Sequence, residues 1–106
     1  HKIELKIGDA VEIMHEYEDE FFDLIFIDGN KRDYCTYYNT AFGKLRKGGV
    51  VLADNTLWNG KVIDEKFQDD SQTKGVLAFN KLIKEDNRIE KAILPIRDGL
   101  TIIQKK

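Results

Sequence analysis

The sequence lacks the features of several classes of protein. Its single cysteine, Cys35, excludes an internal disulfide and a cysteine-rich zinc module. The chain has 17 basic and 19 acidic residues, so its net charge of −2 shows none of the basic excess that nucleic-acid binding requires. The apolar runs, such as 24–27, reach only about four or five residues, too short for a transmembrane helix or a signal peptide. We therefore expect a cytoplasmic protein that binds neither nucleic acid nor a membrane.

What is present is the composition of one small globular domain. The chain has 106 residues, of which 42% are hydrophobic and 34% charged, which is too apolar for a disordered tail. It begins with His1 rather than methionine, and a strand pattern follows at once. We therefore expect a piece of a larger domain.

Five segments have the pattern of β-strands. A half-buried strand alternates apolar and polar residues, whereas a strand buried on both faces is apolar throughout. The predicted strands are residues 2–7, 22–27, 50–53, 89–96 and 100–104. The turn Arg97-Asp98-Gly99 joins the last two, so we expect them to form an antiparallel hairpin.

Three segments between these strands have the helical spacing of apolar residues. Asp9 precedes the first helix, over 10–17, as an N-cap. Asp33 can cap the second, which Gly48-Gly49 ends, and the third runs over about 71–87. Because strands alternate with helices, the sequence predicts an α/β fold with a mostly parallel sheet and a C-terminal antiparallel hairpin.

The two buried strands end in residues with oxygen ligands. Asp28 follows strand 22–27, and Asp54 and Asn55 follow strand 50–53. A right-handed β-α-β connection makes these strands parallel, so their carboxyl ends open on one edge of the sheet, where α/β proteins bind ligands. Two carboxylates and an amide suit Mg²⁺ or Mn²⁺, and also Ca²⁺, and the lack of a nearby histidine or cysteine disfavours zinc. The alternative is that these residues only form turns or cap helices.

Two further residues near the strand ends have both a functional and a structural interpretation. Lys31 could reach into the same cleft as a base, or it could face solvent as most lysines do. Trp58 could line a pocket for an aromatic ligand, or it could close the core beneath its loop. The residues alone leave both choices open.

Three stretches of the sequence resemble the cation-dependent O-methyltransferases, the family of caffeoyl-CoA and catechol O-methyltransferases. They are FDLIFIDGNK at 22–31, LRKGGVVLADNTLWNG at 45–60 and LPIRDGLT at 94–101. The resemblance spans nearly the whole chain, and its DNTLWNG segment is specific. It implies a Rossmann-like methyltransferase fold that uses S-adenosylmethionine (SAM). Residues 1–106 would be the C-terminal part of a single domain, without the N-terminal SAM-binding half.

The resemblance implies a role for each residue at the strand ends. The ligands of the divalent cation, with Mg²⁺ favoured, would be Asp28, Asp54 and Asn55. Lys31 would be the catalytic residue that deprotonates or orients the acceptor hydroxyl. Trp58 and Asn59 would lie beside the acceptor, a small aromatic molecule.

The same resemblance implies a binding site for SAM. Its residues would be Gly8, Asp9, Ala10, Asp28 and Asn30. Asn30 stands where many relatives carry an aspartate that assists in SAM binding, so one charge is lost here. The glycine-rich turn and the ribose-binding acidic residue of the family's earlier half are also missing from this sequence. We therefore expect this chain alone to bind SAM weakly and to be inactive, and we expect the protein to be a homodimer.

The implied activity is metal-dependent transfer of a methyl group from SAM to a hydroxyl of a catechol-like acceptor. A phenol with a pKa of about 10 is a poor nucleophile at neutral pH, and a divalent cation would stabilise its phenolate. One alternative is a non-catalytic remnant that serves as a binding or dimerisation module. A second is a phosphoacceptor receiver domain, whose acidic pair after an earlier strand would be reduced here to Asp9 alone.

Overall fold

The computed structural model describes residues 2–63, 66 and 69–106. The α-helices are α1 (Ala10–Met14), α2 (Tyr34–Lys44) and α3 (Ser71–Glu85). The strands are β1 (Phe22–Ile27), β2 (Leu45–Asp54), β3 (Ile89–Leu94) and β4 (Leu100–Lys105). Short 3₁₀ turns cover Lys31–Asp33 and Trp58–Ile63. Among the described residues, no helix is both long enough and apolar enough to cross a bilayer.

The four strands form one mixed sheet in the order β1-β2-β4-β3. β1 and β2 are parallel, whereas β4 is antiparallel to both β2 and β3. The α/β class and the C-terminal hairpin are therefore confirmed. The expectation of a mostly parallel sheet is wrong for the described strands, because β4 inserts between β2 and β3 and makes two of the three pairs antiparallel.

Residues 2–7 do not form the predicted strand. Ile3, Leu5 and Ile7 are 89%, 82% and 90% exposed. Because these residues alternate with polar ones, one side of the segment is apolar and could be buried. A strand also needs a neighbouring strand with which its backbone can form hydrogen bonds. No described strand supplies that neighbour.

The first helix begins as predicted and ends early. The Asp9 carboxylate accepts hydrogen bonds from the backbone N–H groups of Val11 and Glu12, which confirms it as the N-cap. α1 ends at Met14 rather than at residue 17. An acidic loop follows, and it leads the chain into β1.

The second helix begins after Asp33 as predicted, but its N-terminal cap and its C-terminal end differ from the prediction. Asp33 makes no capping hydrogen bond, and the side chain of Asn30 instead caps the preceding 3₁₀ turn. The helix ends at Lys44, so Gly48-Gly49 lies inside β2 and does not stop the helix. The reason is tertiary, because Leu45 already pairs with Phe22 of β1.

The core lies between one face of the sheet and helices α2 and α3. The sheet contributes Ile27, Val51, Ala53, Ile89 and Ile103, and the helices contribute Tyr34, Tyr38, Ala41, Phe79 and Ile83. The ring of Tyr34 meets that of Phe79 edge to face, with centroids 5.4 Å apart. This packing orients α2 and the turn before it against the ends of β1 and β2.

A buried carboxylate ties the end of α3 to α2. Asp86 follows α3 and accepts a hydrogen bond from the Tyr38 hydroxyl at 2.6 Å. Two guanidinium nitrogens of Arg88 donate to its oxygens at 2.9 and 2.8 Å. The Arg88 hydrogen bonds hold the pKa of Asp86 well below its usual range, and the Tyr38 hydrogen bond adds to this effect against the opposing influence of burial.

Candidate active site at the ends of two parallel strands

The register of β1 and β2 brings the predicted metal ligands to one edge of the sheet. Ile27 pairs with Ala53, so Asp28 and Asp54 are the next residues along two adjacent parallel strands. Neighbouring strands lie about 4.8 Å apart. The carboxylates of Asp28 and Asp54 therefore start from adjacent backbone positions.

The hydroxyl of Tyr34 joins the two strand ends. It lies 2.7 Å from the carbonyl oxygen of Asp54. Lys31 Nζ lies 2.7 Å from the same hydroxyl and 3.3 Å from Asp28 Oδ1. Because an ammonium group can only donate, the Tyr34 hydroxyl accepts from Lys31 and gives its own proton to the Asp54 carbonyl. Lys31 therefore links the Asp28 carboxylate to the Tyr34 phenol, which in turn bonds the backbone of Asp54.

The surroundings keep this phenol protonated. Burial raises the pKa of Tyr34, and the charges of Asp28 and Asp54 raise it further. Tyr34 therefore remains a hydrogen-bond donor at neutral pH. The side chain of Lys31 is only 7% exposed, so the interpretation of this residue as a solvent-facing lysine is wrong.

Asn55 turns the chain sharply after β2. Its φ of 61° lies in the left-handed region, which asparagine tolerates better than most residues. Its backbone N–H donates to Asp54 Oδ1 at 2.9 Å, and its Nδ2 donates to Asp98 Oδ2 at 3.3 Å. Asp98, in the turn of the C-terminal hairpin, therefore holds the amide nitrogen of Asn55. The amide oxygen of Asn55 points away from the Asp98 carboxylate.

These donors match the chemistry of a hard divalent cation. Asp28, Asp54 and Asn55 offer two carboxylates and one amide oxygen from two adjacent strand ends. Among the described residues, no cluster of three or more histidine, cysteine, aspartate or glutamate side chains could hold a metal ion. Binding of the predicted cation therefore requires the amide oxygen of Asn55 in addition to the carboxylates of Asp28 and Asp54. The cation site stays a prediction.

A pocket of about 280 Å³ lies between α1, β1 and α2. Ala10 and Asp28, two of the residues predicted to bind SAM, both line it. The other three, Gly8, Asp9 and Asn30, lie outside its lining. The side chains of Asp9 and Asn30 instead accept hydrogen bonds from backbone N–H groups at the starts of their helical turns. The roles of Gly8, Asp9 and Asn30 in SAM binding stay predictions, whereas Ala10 and Asp28 share a pocket.

The two residues predicted to contact the acceptor lie just beyond the strand end. Trp58 and Asn59 begin the 3₁₀ turn that follows β2. Their side chains are outside the part of the chain that the structure describes. Their role beside the acceptor therefore stays a prediction, and both interpretations of Trp58 stay open.

Sequence reasoning missed two residues that position Lys31. It gave no role to Tyr34, because nothing in the sequence shows that the hydroxyl of this residue reaches β2. It also gave no role to Gly75, where an added Cβ would lie 2.7 Å from the Cα of Arg32 and 2.8 Å from the carbonyl carbon of Lys31. A glycine inside a helical pattern is the signal that could have indicated this close approach of α3.

Comparison with known proteins finds similarity to O-methyltransferases. The O-methyltransferase family model matches residues 1–106. The probable caffeoyl-CoA O-methyltransferase 2 of Dictyostelium discoideum is 38% identical over 109 residues, which cover 99% of this chain and 47% of that protein. The caffeoyl-CoA O-methyltransferase of Medicago sativa is 34% identical over 119 residues, with 99% and 47% covered. The chain thus spans about half the length of the curated relatives it matches.

Solved structures show the same fold. A Podospora anserina methyltransferase bound to SAH superposes with a TM-score of 0.77 at 32% identity, covering 93% of this chain and 47% of that one. The O-methyltransferase TomG of Streptomyces achromogenes, solved in complex with SAM, gives 0.80 at 25% identity, covering 93% and 48%. The Rossmann-like methyltransferase fold expected from the resemblance is therefore confirmed.

Proposed function

This chain belongs to the O-methyltransferase family, and we propose that it forms the metal- and acceptor-binding part of a SAM-dependent enzyme. The enzyme would transfer a methyl group to a hydroxyl of a small aromatic, catechol-like acceptor with the help of a divalent cation, Mg²⁺ ahead of Mn²⁺ or Ca²⁺. Relatives named caffeoyl-CoA O-methyltransferases support the acceptor class, and structures bound to SAH or SAM support the methyl donor. Residues 1–106 would be the C-terminal part of one domain.

The observation that carries this proposal is the link between the strand ends. Lys31 Nζ lies beside one predicted metal ligand, Asp28, and is connected through the Tyr34 hydroxyl to the backbone of a second, Asp54. An array of oxygen donors beside a buried cationic side chain suits chemistry in which a hydroxyl becomes an anion.

The residues have separable tasks in this mechanism. Asp28, Asp54 and Asn55 would hold the cation, which when bound stabilises a phenolate and chelates a neighbouring oxygen. The two carboxylates offset the charge of the cation. As an ammonium held by Tyr34 and Asp28, Lys31 would orient the acceptor hydroxyl and stabilise the oxygen anion that forms when the hydroxyl proton passes to water. Because methyl transfer needs an in-line approach, most of the rate enhancement would come from this positioning.

The SAM site is incomplete in this chain. The pocket beside Ala10 and Asp28 has about 280 Å³, slightly below the range of about 300–1,000 Å³ for sites that bury a whole small ligand. It would take only part of SAM, and the rest of the site would come from the remainder of the domain. We therefore expect calorimetry on these 106 residues to show little or no SAM binding, and micromolar affinity would contradict this expectation.

The test of the function uses a full-length protein that contains this chain. Asp54→Ala should abolish Mg²⁺-stimulated methyl transfer from SAM to a catechol. Asp19→Ala is the control, because its carboxylate is 83% exposed and bonds Lys44 next to the opposite end of β2. Unchanged turnover of Asp54→Ala at saturating Mg²⁺ would reject the metal site.

A second candidate is a non-catalytic binding module, which the exposed apolar residues of β1 favour. In that case the full-length protein would show neither methyl transfer nor metal dependence. The match of the whole chain to the O-methyltransferase family argues against the alternative of a phosphoacceptor receiver domain. The cytoplasmic location and the homodimer stay predictions.

A further inference from the structure

The turn of the C-terminal hairpin packs against the segment that follows β2. The backbone N–H of Leu57 donates to the Asp98 carbonyl at 2.8 Å, and that of Thr56 donates to the Gly99 carbonyl at 3.3 Å. These bonds continue the antiparallel pairing of β2 with β4. The hairpin turn is therefore fixed against the segment 55–57, although the two are far apart in the sequence.

This contact is close enough to require a glycine in the turn. Gly99 has a φ of 85°, in the left-handed region that glycine adopts without strain. An added Cβ would lie 2.6 Å from Leu57 Cγ and 3.0 Å from the backbone nitrogen of Leu57. A side chain at position 99 would therefore push the turn away from the segment that follows β2.

Buried polar contacts hold the same segment from the interior. The side chain of Thr56 is buried, and its hydroxyl lies 2.9 Å from the Thr101 hydroxyl of β4. Asn80 of α3 donates from its Nδ2 to the Thr56 carbonyl at 3.0 Å. Because the backbone that follows Asn55 is fixed in this way, the remaining freedom at Asn55 is the rotation of its side-chain amide.

Asp98 determines which way the Asn55 amide faces. The terminal torsion of an asparagine is broad and roughly two-fold, so the backbone alone does not choose between the amide oxygen and the amide nitrogen. A carboxylate can only accept hydrogen bonds, so Asn55 Nδ2 faces Asp98 Oδ2, at 3.3 Å. The amide oxygen, which is the atom that can bind a hard cation, is left on the other side of the amide. The charge of Asp98 also polarises the amide and makes this oxygen more negative.

Asp98 acts through Asn55 and is not itself a ligand. Within the part of the chain that the structure describes, Asp98 does not join Asp28 and Asp54 in a cluster of three carboxylates that could hold a metal ion. We propose that Asp98 is a positioning residue of the cation site, which directs the amide oxygen of Asn55 at the divalent cation by holding its amide nitrogen. The inference rests on the proposed function, which supplies the cation. Loss of such an outer partner typically weakens metal binding by about 10–100-fold.

The experiment measures Mn²⁺ binding to a full-length protein that contains this chain, in the absence of SAM and acceptor. Electron paramagnetic resonance follows free Mn²⁺ during the titration. Asp98→Ala removes the acceptor of the Asn55 amide, whereas Asp98→Asn removes the charge and keeps a side-chain oxygen that can accept the bond. In both variants the carbonyl of residue 98 still accepts from Leu57, so the turn should fold, and thermal unfolding checks this. Asp23→Ala is the control for a lost carboxylate, because its side chain is 79% exposed and bonds Arg46 near the start of β1.

Asp98→Ala should bind Mn²⁺ about 10–100-fold more weakly than the wild-type protein. Asp98→Asn should bind no more than about threefold more weakly, since a neutral hydrogen bond has roughly half the strength of a charge-assisted one. Asp23→Ala should bind as the wild-type protein does. In Asp98→Ala the Mg²⁺ concentration that gives half-maximal methyl transfer to a catechol should rise by the same factor as the Mn²⁺ dissociation constant, while the rate at saturating Mg²⁺ should be unchanged.

Two results would overturn the positioning role and leave the proposed function intact. One is equal Mn²⁺ binding by Asp98→Ala and the wild-type protein in a preparation where Asp54→Ala no longer binds the ion. The other is an equal loss in Asp98→Asn and Asp98→Ala, because the charge of Asp98 and not its hydrogen bond would then be the cause. A wild-type protein that binds no Mn²⁺ would reject the cation site, and with it both the positioning role and the proposed metal-dependent function.

Discussion

Replacing Gly75 by alanine tests how closely α3 approaches the turn that carries Lys31. An added Cβ would lie 2.7 Å from the Cα of Arg32 and would also meet the carbonyl oxygen of Lys31. Both neighbours are backbone atoms, which cannot rotate away as a side chain could. Either α3 or the turn at 31–33 must move.

Two opposing contributions determine the size of the effect. Alanine has a higher helix propensity than glycine, which stabilises a helix by about 1 kcal/mol. Overpacking at a tight contact costs about 1–3 kcal/mol, and a contact between backbone atoms belongs near the upper end. We therefore expect Gly75→Ala to lower the free energy of unfolding by about 1–2 kcal/mol.

Gly43, in the last turn of α2, provides the control. A Cβ there would meet nothing within 4 Å. Gly43→Ala should therefore raise the free energy of unfolding by up to about 1 kcal/mol, through helix propensity alone. Urea unfolding of both variants, followed by circular dichroism, measures the two changes. Changes of the same sign would refute the close approach of α3 to the Lys31 turn.

Two further predictions concern buried polar groups. Asp86→Asn should lower the free energy of unfolding at pH 7 by about 1–3 kcal/mol. Because the folded protein holds the pKa of Asp86 below its unfolded value, its stabilisation is present above about pH 4 and is lost as the pH falls further. Urea titrations should show the same deficit at pH 7 and pH 5 and a smaller one at pH 3, and a deficit that is equal at all three pH values would contradict this. Tyr34→Phe should cost about 1–3 kcal/mol, since Lys31 Nζ and the Asp54 carbonyl lose their shared partner. With Tyr37→Phe as the control, equal stability of both variants in urea would contradict the bridging role of Tyr34.

Local patterns predicted the elements whose cause is local. The apolar run at 22–27 became β1, and the Asp9 carboxylate caps α1. The hairpin around Arg97-Asp98-Gly99 also formed as expected, with Arg97 and Gly99 at positive φ. Each feature depends on residues within a few positions of one another, so the sequence pattern already contains its physical cause.

The errors occurred where a distant partner decides the outcome. Residues 2–7 have a strand pattern and no described strand beside them. Gly48-Gly49 suggested a helix end, yet the pairing of Leu45 with Phe22 had already drawn that segment into β2. Insertion of β4 beside β2 made the sheet mixed. Strand pairing is non-local, so the sequence pattern of a single strand does not specify its neighbours.

The candidate site shows the same division. The sequence by itself placed Asp28, Asp54 and Asn55 after two apolar strands and thus at one edge of a sheet. Only the tertiary structure buried Lys31, because the groups that enclose it come from separate elements: the Tyr34 hydroxyl of α2, the Asp54 carbonyl of β2 and the close approach of α3 at Gly75. Those elements meet through packing of the core, and packing brings together side chains that lie far apart along the chain.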